Sequence, residues 1–112
     1  MTRSGFVVGT EQYMSPEQAS GAVEVDGRTD LYSMGVVLFE ALAGQPPFSS
    51  PSAAAVLDMH QRRPAPSVRD LRPDVPDALA RAIARALEKG PADRWQTAAE
   101  MQAALLPFSR TA

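Results

Sequence analysis

Thr29-Asp30-Leu31-Tyr32-Ser33-Met34-Gly35-Val36-Val37-Leu38-Phe39-Glu40-Ala41-Leu42-Ala43-Gly44 is the stretch on which the fold turns. Thr29 or Asp30 can cap its start with a side-chain oxygen, and Gly44 can end it in the left-handed conformation. Between these ends apolar residues occupy nearly every side of a helix, and a helix apolar all round is a buried one. A run rich in Val and Leu can also form a buried strand, but the length and the two caps favour helix. The run falls short of the ~20 apolar residues that a membrane span needs. A buried central helix is predicted, with the other elements packed around it.

Upstream, Val7, Val8 and Thr10 with Gly5 and Gly9 read as an extended arm. Ser15-Pro16-Glu17-Gln18 is a helix start, with Ser as N-cap, Pro at the first helical position and Gln placed for a capping box. Gly21 keeps that helix short. Downstream, Gln45-Pro46-Pro47-Phe48 is a rigid loop, and Ser50-Pro51 repeats the cap-and-proline signal for a helix through about Gln61. Arg62 to Pro76 is rich in proline and reads as an irregular connection. Asp74, Pro76 and Asp77 open the next helix, whose apolar stripe is Leu79, Ile83 and Leu87. Gly90-Pro91 stops it, and Thr97-Ala98-Ala99-Glu100 is a capping box for a last helix with Met101 and Leu105 on one face. The expected fold class is all-α: about five helices around one buried central helix, with an extended N-terminal arm.

Composition narrows the chemistry. The chain has 112 residues, 45% of them hydrophobic, which suits one globular unit and argues against disorder. Its net charge of −2 offers no pull toward nucleic acid or an anionic membrane. Without cysteine there is no disulfide, thiolate zinc site or Cys nucleophile. No signal-peptide pattern opens the chain, so the default compartment is the cytoplasm. The single histidine, His60, is read as a surface residue near a helix C-terminus, and Asp58 lies on another face, so no metal pair forms there. Trp95 and Phe48 are read as core or loop-anchoring residues.

Three motifs carry a resemblance. Gly9-Thr10-Glu11-Gln12-Tyr13-Met14-Ser15-Pro16-Glu17 resembles the end of the activation segment of eukaryotic-like Ser/Thr protein kinases, which finishes in Ala/Ser-Pro-Glu. Asp30 to Glu40, then Gly44 and Pro47-Phe48, resembles the central helix of the kinase C-terminal lobe and the loop after it. Lys89-Gly90-Pro91-Ala92-Asp93-Arg94-Trp95 resembles the arginine motif before the last helix of that lobe. The motifs stand in family order, cover almost the whole chain and have the style of bacterial members.

The resemblance implies an organisation and a set of roles. Residues 1–14 would be the end of the activation segment with the substrate-pocket loop, 15–106 the helical remainder of the lobe, and 107–112 a tail. Gly9, Thr10, Tyr13 and Met14 would line the pocket for the substrate residue just after the phosphoacceptor, with Thr10 favouring Ser/Thr over Tyr. Many relatives carry Pro where this chain has Glu11. Glu17 and Arg94 would pair, tying the activation segment to the late helices. From residue types alone they read as two exposed charges that never meet. Asp30 would reach the backbone of the catalytic loop, against the plainer reading of a helix N-cap. Thr2 and Ser4 sit where relatives carry activating phosphorylation sites.

Other parts of a kinase do not occur in this sequence. Phosphoryl transfer uses a Gly-rich loop, a strand Lys, a His-Arg-Asp loop and an Asp-Phe-Gly metal site. The chain has no G-x-G-x-x-G, its one lysine is Lys89, His60 is followed by Gln61-Arg62, and Gly5-Phe6 is not Asp-Phe-Gly. No catalytic, cofactor or metal residue is therefore expected here, and ATP and Mg²⁺ would belong to a longer parent. The expected partners are protein substrates and the N-terminal part of the kinase domain. A chain of this kind is either part of a kinase or a short non-catalytic module that binds kinases or their substrates. One face of the central helix should be left as an exposed apolar patch.

Overall fold

The computed structural model describes residues 10–21 and 26–108. Every regular element among them is helical: α1 Pro16–Ala19, α2 Gly27–Ala43, α3 Ala53–Arg62, α4 Asp77–Ala86 and α5 Ala98–Leu105, with short 3₁₀ turns at Thr10–Tyr13, Val68–Asp70, Pro91–Asp93 and Leu106–Phe108. The all-α fold read from the sequence is the observed one. Thr10–Tyr13 forms a tight turn where an extended arm was expected; residues 1–9 lie outside the described residues.

α2 is the hub, and it begins earlier than its capping signals suggested. Asp26, in place of Thr29 or Asp30, is the N-cap, and its carboxylate accepts from the Arg28 amide at 2.9 Å. Asp30 is an exposed residue of the first turn. The other end is as read: Gly44 takes φ 84°, a left-handed conformation, and returns its amide to the Glu40 carbonyl.

Nor is α2 buried all round. Leu31, Tyr32, Gly35, Val36 and Phe39 face inward, whereas Met34 is 50% exposed and Val37 46%. The inward face meets Ile83 and Leu87 from the end of α4, and Val68 and Val75 from the proline-rich connection close the same cluster. Complete burial of a side chain such as Ile83 or Phe39 contributes about 1.5–3 kcal/mol. Gly35 sets the distance between α2 and α4: a Cβ placed there would lie 2.8 Å from the Ala86 Cβ. A second small cluster joins Leu31, Ala86 and Met101, so α5 closes the far side.

The outer helices differ from the sequence reading at their ends. α3 starts after Ser52, whose hydroxyl accepts from the Ala55 amide, and not after Ser50. At α5 the Thr97 hydroxyl accepts from the Glu100 amide, but Glu100 reaches back to the Gln96 amide rather than to Thr97, so the box is offset by one residue. At α1 the expected box is complete: Ser15 and Gln18 cap each other's amides. Met34, Leu31, Met101, Leu105 and Leu106 line an open apolar groove of about 510 Å³ between α2 and α5, with Asp30 at its edge.

Candidate functional site

Short α1 exists only because it is capped and tethered, and the tether is ionic. Arg94 is wholly buried, and its guanidinium grips the Glu17 carboxylate with two parallel bonds, Nη1 to Oε2 and Nη2 to Oε1, both 2.7 Å. The other N–H groups donate to backbone carbonyls: Nε to Glu88 at 2.7 Å, Nη1 to Arg28 at 3.2 Å and Nη2 to Lys89 at 3.0 Å. All the donors of the guanidinium are thereby satisfied. The Thr29 hydroxyl adds a bond to Glu17 Oε2 at 2.5 Å, and the guanidinium lies over the Tyr32 ring, 4.9 Å from its centroid. Burial pushes the Glu17 carboxyl up, but the bonds from Arg94 and Thr29 outweigh it and hold the group down at about 2.

This fork sits at the foot of the Thr10–Tyr13 turn and fixes the chain that leaves it. The turn has three further anchors. The Tyr13 hydroxyl donates to Glu40 Oε1 at 2.6 Å, and the Ser33 hydroxyl donates to the Tyr13 carbonyl at 2.6 Å, both from α2. From α3, His60 Nε2 lies 3.1 Å from the Gln12 carbonyl. The Glu40 carboxylate accepting from Tyr13 favours the neutral phenol and raises its pKa.

Of the residues singled out from the sequence, Glu17 and Arg94 lie together across 77 positions of chain. Tyr13 and Met14 are half-buried at the turn, and Thr10 opens it. Asp30 stands apart, exposed at the groove. Gly9, Thr2 and Ser4 lie outside the described residues. Phe48 is buried, and Trp95 is half-buried with its indole N–H donating to the Ala82 carbonyl at 2.9 Å.

His60 corrects the sequence reading. It is not on the surface but completely buried, with Nδ1 2.7 Å from the Tyr32 hydroxyl and Phe48 edge-on at 5.1 Å. α3 presents that face inward along with Val56, one turn earlier. The signal was available: Val56 and His60 share a face at i,i+4 spacing. Ser33, Glu40 and Thr29 were also missed as anchors, because their partners are remote in sequence.

The fold and the fork define the helical lobe of a protein kinase. The sequence pattern of the protein kinase domain matches residues 3–106, and the chain belongs to that family. Its curated relatives include bacterial Ser/Thr kinases. It is 48% identical to serine/threonine-protein kinase PknB of Mycolicibacterium smegmatis, over 95% of this chain and 17% of that protein. It is 46% identical to the DNA damage-responsive serine/threonine-protein kinase RqkA of Deinococcus radiodurans, over 90% of this chain and 15% of that protein. The chain thus spans about a sixth of the length of these curated relatives and corresponds to the C-terminal lobe from the end of the activation segment onward. Among solved structures, the twitchin kinase region from C. elegans matches with a TM-score of 0.75 at 24% identity, over 89% of this chain and 17% of that one, a likeness of fold.

Proposed function

We propose that this chain is the substrate-pocket and anchoring part of a Ser/Thr protein kinase. The whole kinase would transfer the γ-phosphate of ATP to serine or threonine of protein substrates in the cytoplasm. The observation that carries the reading is the buried Glu17–Arg94 fork, which holds the end of the activation segment against the late helices. The turn above it is fixed by Tyr13–Glu40 and Ser33 and would shape the pocket for the residue after the phosphoacceptor.

No Gly-rich loop, strand Lys, His-Arg-Asp or Asp-Phe-Gly motif for ATP and Mg²⁺ occurs in this sequence. Among the described residues no group of three or more His, Cys, Asp or Glu could hold a metal ion. Lys89 is committed to the Met59 carbonyl at 3.1 Å and to the Phe48 ring. In this reading nucleotide, metal and the phosphoryl-transfer step would be handled by residues outside this sequence, and the chain alone would be inactive. The test is ATP binding with Mg²⁺ by the purified chain and, in parallel, by a longer protein that adds the N-terminal part of the kinase domain. Binding and peptide phosphorylation by the longer protein alone are expected. ATP binding by the short chain would overturn the account.

A further inference from the structure

We infer that His60 is a positioning residue for substrate binding, a buried neutral imidazole that ties α2 and α3 to the backbone of the pocket turn. The inference deepens the proposed function and rests on it. Carbonyl oxygens only accept, so the 3.1 Å contact with Gln12 requires the proton on His60 Nε2. A neutral ring then leaves Nδ1 as an acceptor, and the Tyr32 hydroxyl, 2.7 Å away, must donate to it. One tautomer satisfies both contacts, and it orients the ring between the hub and the turn.

The surroundings favour that neutral form. His60 and Tyr32 are each completely buried, and Phe48 and Tyr32 stand edge-on to the imidazole. The charged groups nearby are Lys89 from the segment after α4, the Arg94–Glu17 fork across Tyr32, and buried Glu11 in the turn itself. Burial first, and then the Lys89 cation, lower the His60 pKa to about 4. The ring therefore stays neutral through the physiological range.

The tether also explains why a turn of four residues holds its shape. Gln12 and Tyr13 are adjacent, and their carbonyls are bound from two different helices, by His60 on α3 and Ser33 on α2. Releasing Gln12 frees the half of the turn nearer Thr10. Peptide binding should suffer while the nucleotide, held elsewhere, should not notice.

The test uses the complete kinase carrying this chain, assayed on a peptide substrate with His60→Asn, His60→Gln and His60→Leu. Asn keeps an acceptor for Tyr32 but cannot reach Gln12, whereas Gln places an amide N–H where Nε2 was. Losing one hydrogen bond to the turn should raise the KM for peptide about fivefold in His60→Asn and His60→Leu. His60→Gln should recover most of the wild-type value, and the KM for ATP should stay unchanged in all three. An unchanged peptide KM in His60→Asn, or an equal rise for ATP, overturns the inference. A second measurement needs no variant: the ¹⁵N imidazole spectrum of the same protein at about pH 6 should show a neutral Nε2–H ring. A protonated ring or an Nδ1–H tautomer overturns the tether. Should the wild type phosphorylate nothing, the proposed function fails, and that spectrum still decides the tether.

Discussion

Replacing Glu17 by Gln keeps the size of the side chain and removes its charge, leaving the wholly buried Arg94 without a counterion. Arg94 would keep its three carbonyl contacts, but one of its two bonds to residue 17 would face an amide N–H2 in place of an oxygen. Breaking a buried pair in this way costs about 3–5 kcal/mol. With a urea m-value of about 2 kcal/mol/M, the unfolding midpoint should fall by about 1.5–2.5 M. Trp95, the one tryptophan, neighbours Arg94 in sequence and reports the transition by fluorescence. The pH dependence gives a second reading of the same pair. The folded Glu17 carboxyl, held at about 2, lies below the ~4.3 of an unfolded glutamate. A depressed carboxylate contributes stability that is present above about pH 4.3 and is lost as pH falls toward 2. At 1.36 kcal/mol per unit the ceiling is about 3 kcal/mol, and solvent at the carboxylate's open edge screens it to about 1–2. The wild type should therefore lose more stability than Glu17→Gln between about pH 5 and 3, and the gap between the two curves should narrow by about 1–2 kcal/mol. A midpoint shift below about 0.5 M at neutral pH, or parallel pH profiles, would refute the reasoning.

Two further outcomes follow from packing. Gly35→Ala places a methyl 2.8 Å from the Ala86 Cβ and should destabilise by about 1–3 kcal/mol, with partial recovery in the Gly35→Ala/Ala86→Gly pair; urea unfolding that shows no loss would mean the helices separate freely. The groove lined by Met34 and 60%-exposed Leu106 should make the isolated chain bind a hydrophobic dye and self-associate, and Met34→Glu should suppress both in dye fluorescence and sedimentation. A monodisperse chain that ignores the dye would contradict this.

Local signals in the sequence were good where a residue acts on its own neighbours. Ser15 and Gln18 are three apart and cap one turn, and Gly44 ends a helix by a property of its own backbone, so both were legible. Caps competing within a few residues were not: Asp26 takes the start of α2 from Thr29 and Asp30, because the helix gains a turn that buries Thr29 against Glu17. The Glu17–Arg94 fork shows the harder limit. Nothing in the two residue types distinguishes a buried pair from two solvated charges, and only the kinase resemblance brought them together. His60 marks the opposite limit, where tertiary packing overrides a local rule. A lone histidine near a helix end is usually solvated, yet this one shares the inner face with Val56, and its two nitrogens are matched by a hydroxyl and a carbonyl. Neither partner lies closer than 28 positions in the chain. The anchors of the turn are all of this long-range kind, which is why the helices could be read from the sequence and the way they hold the Thr10–Tyr13 turn could not.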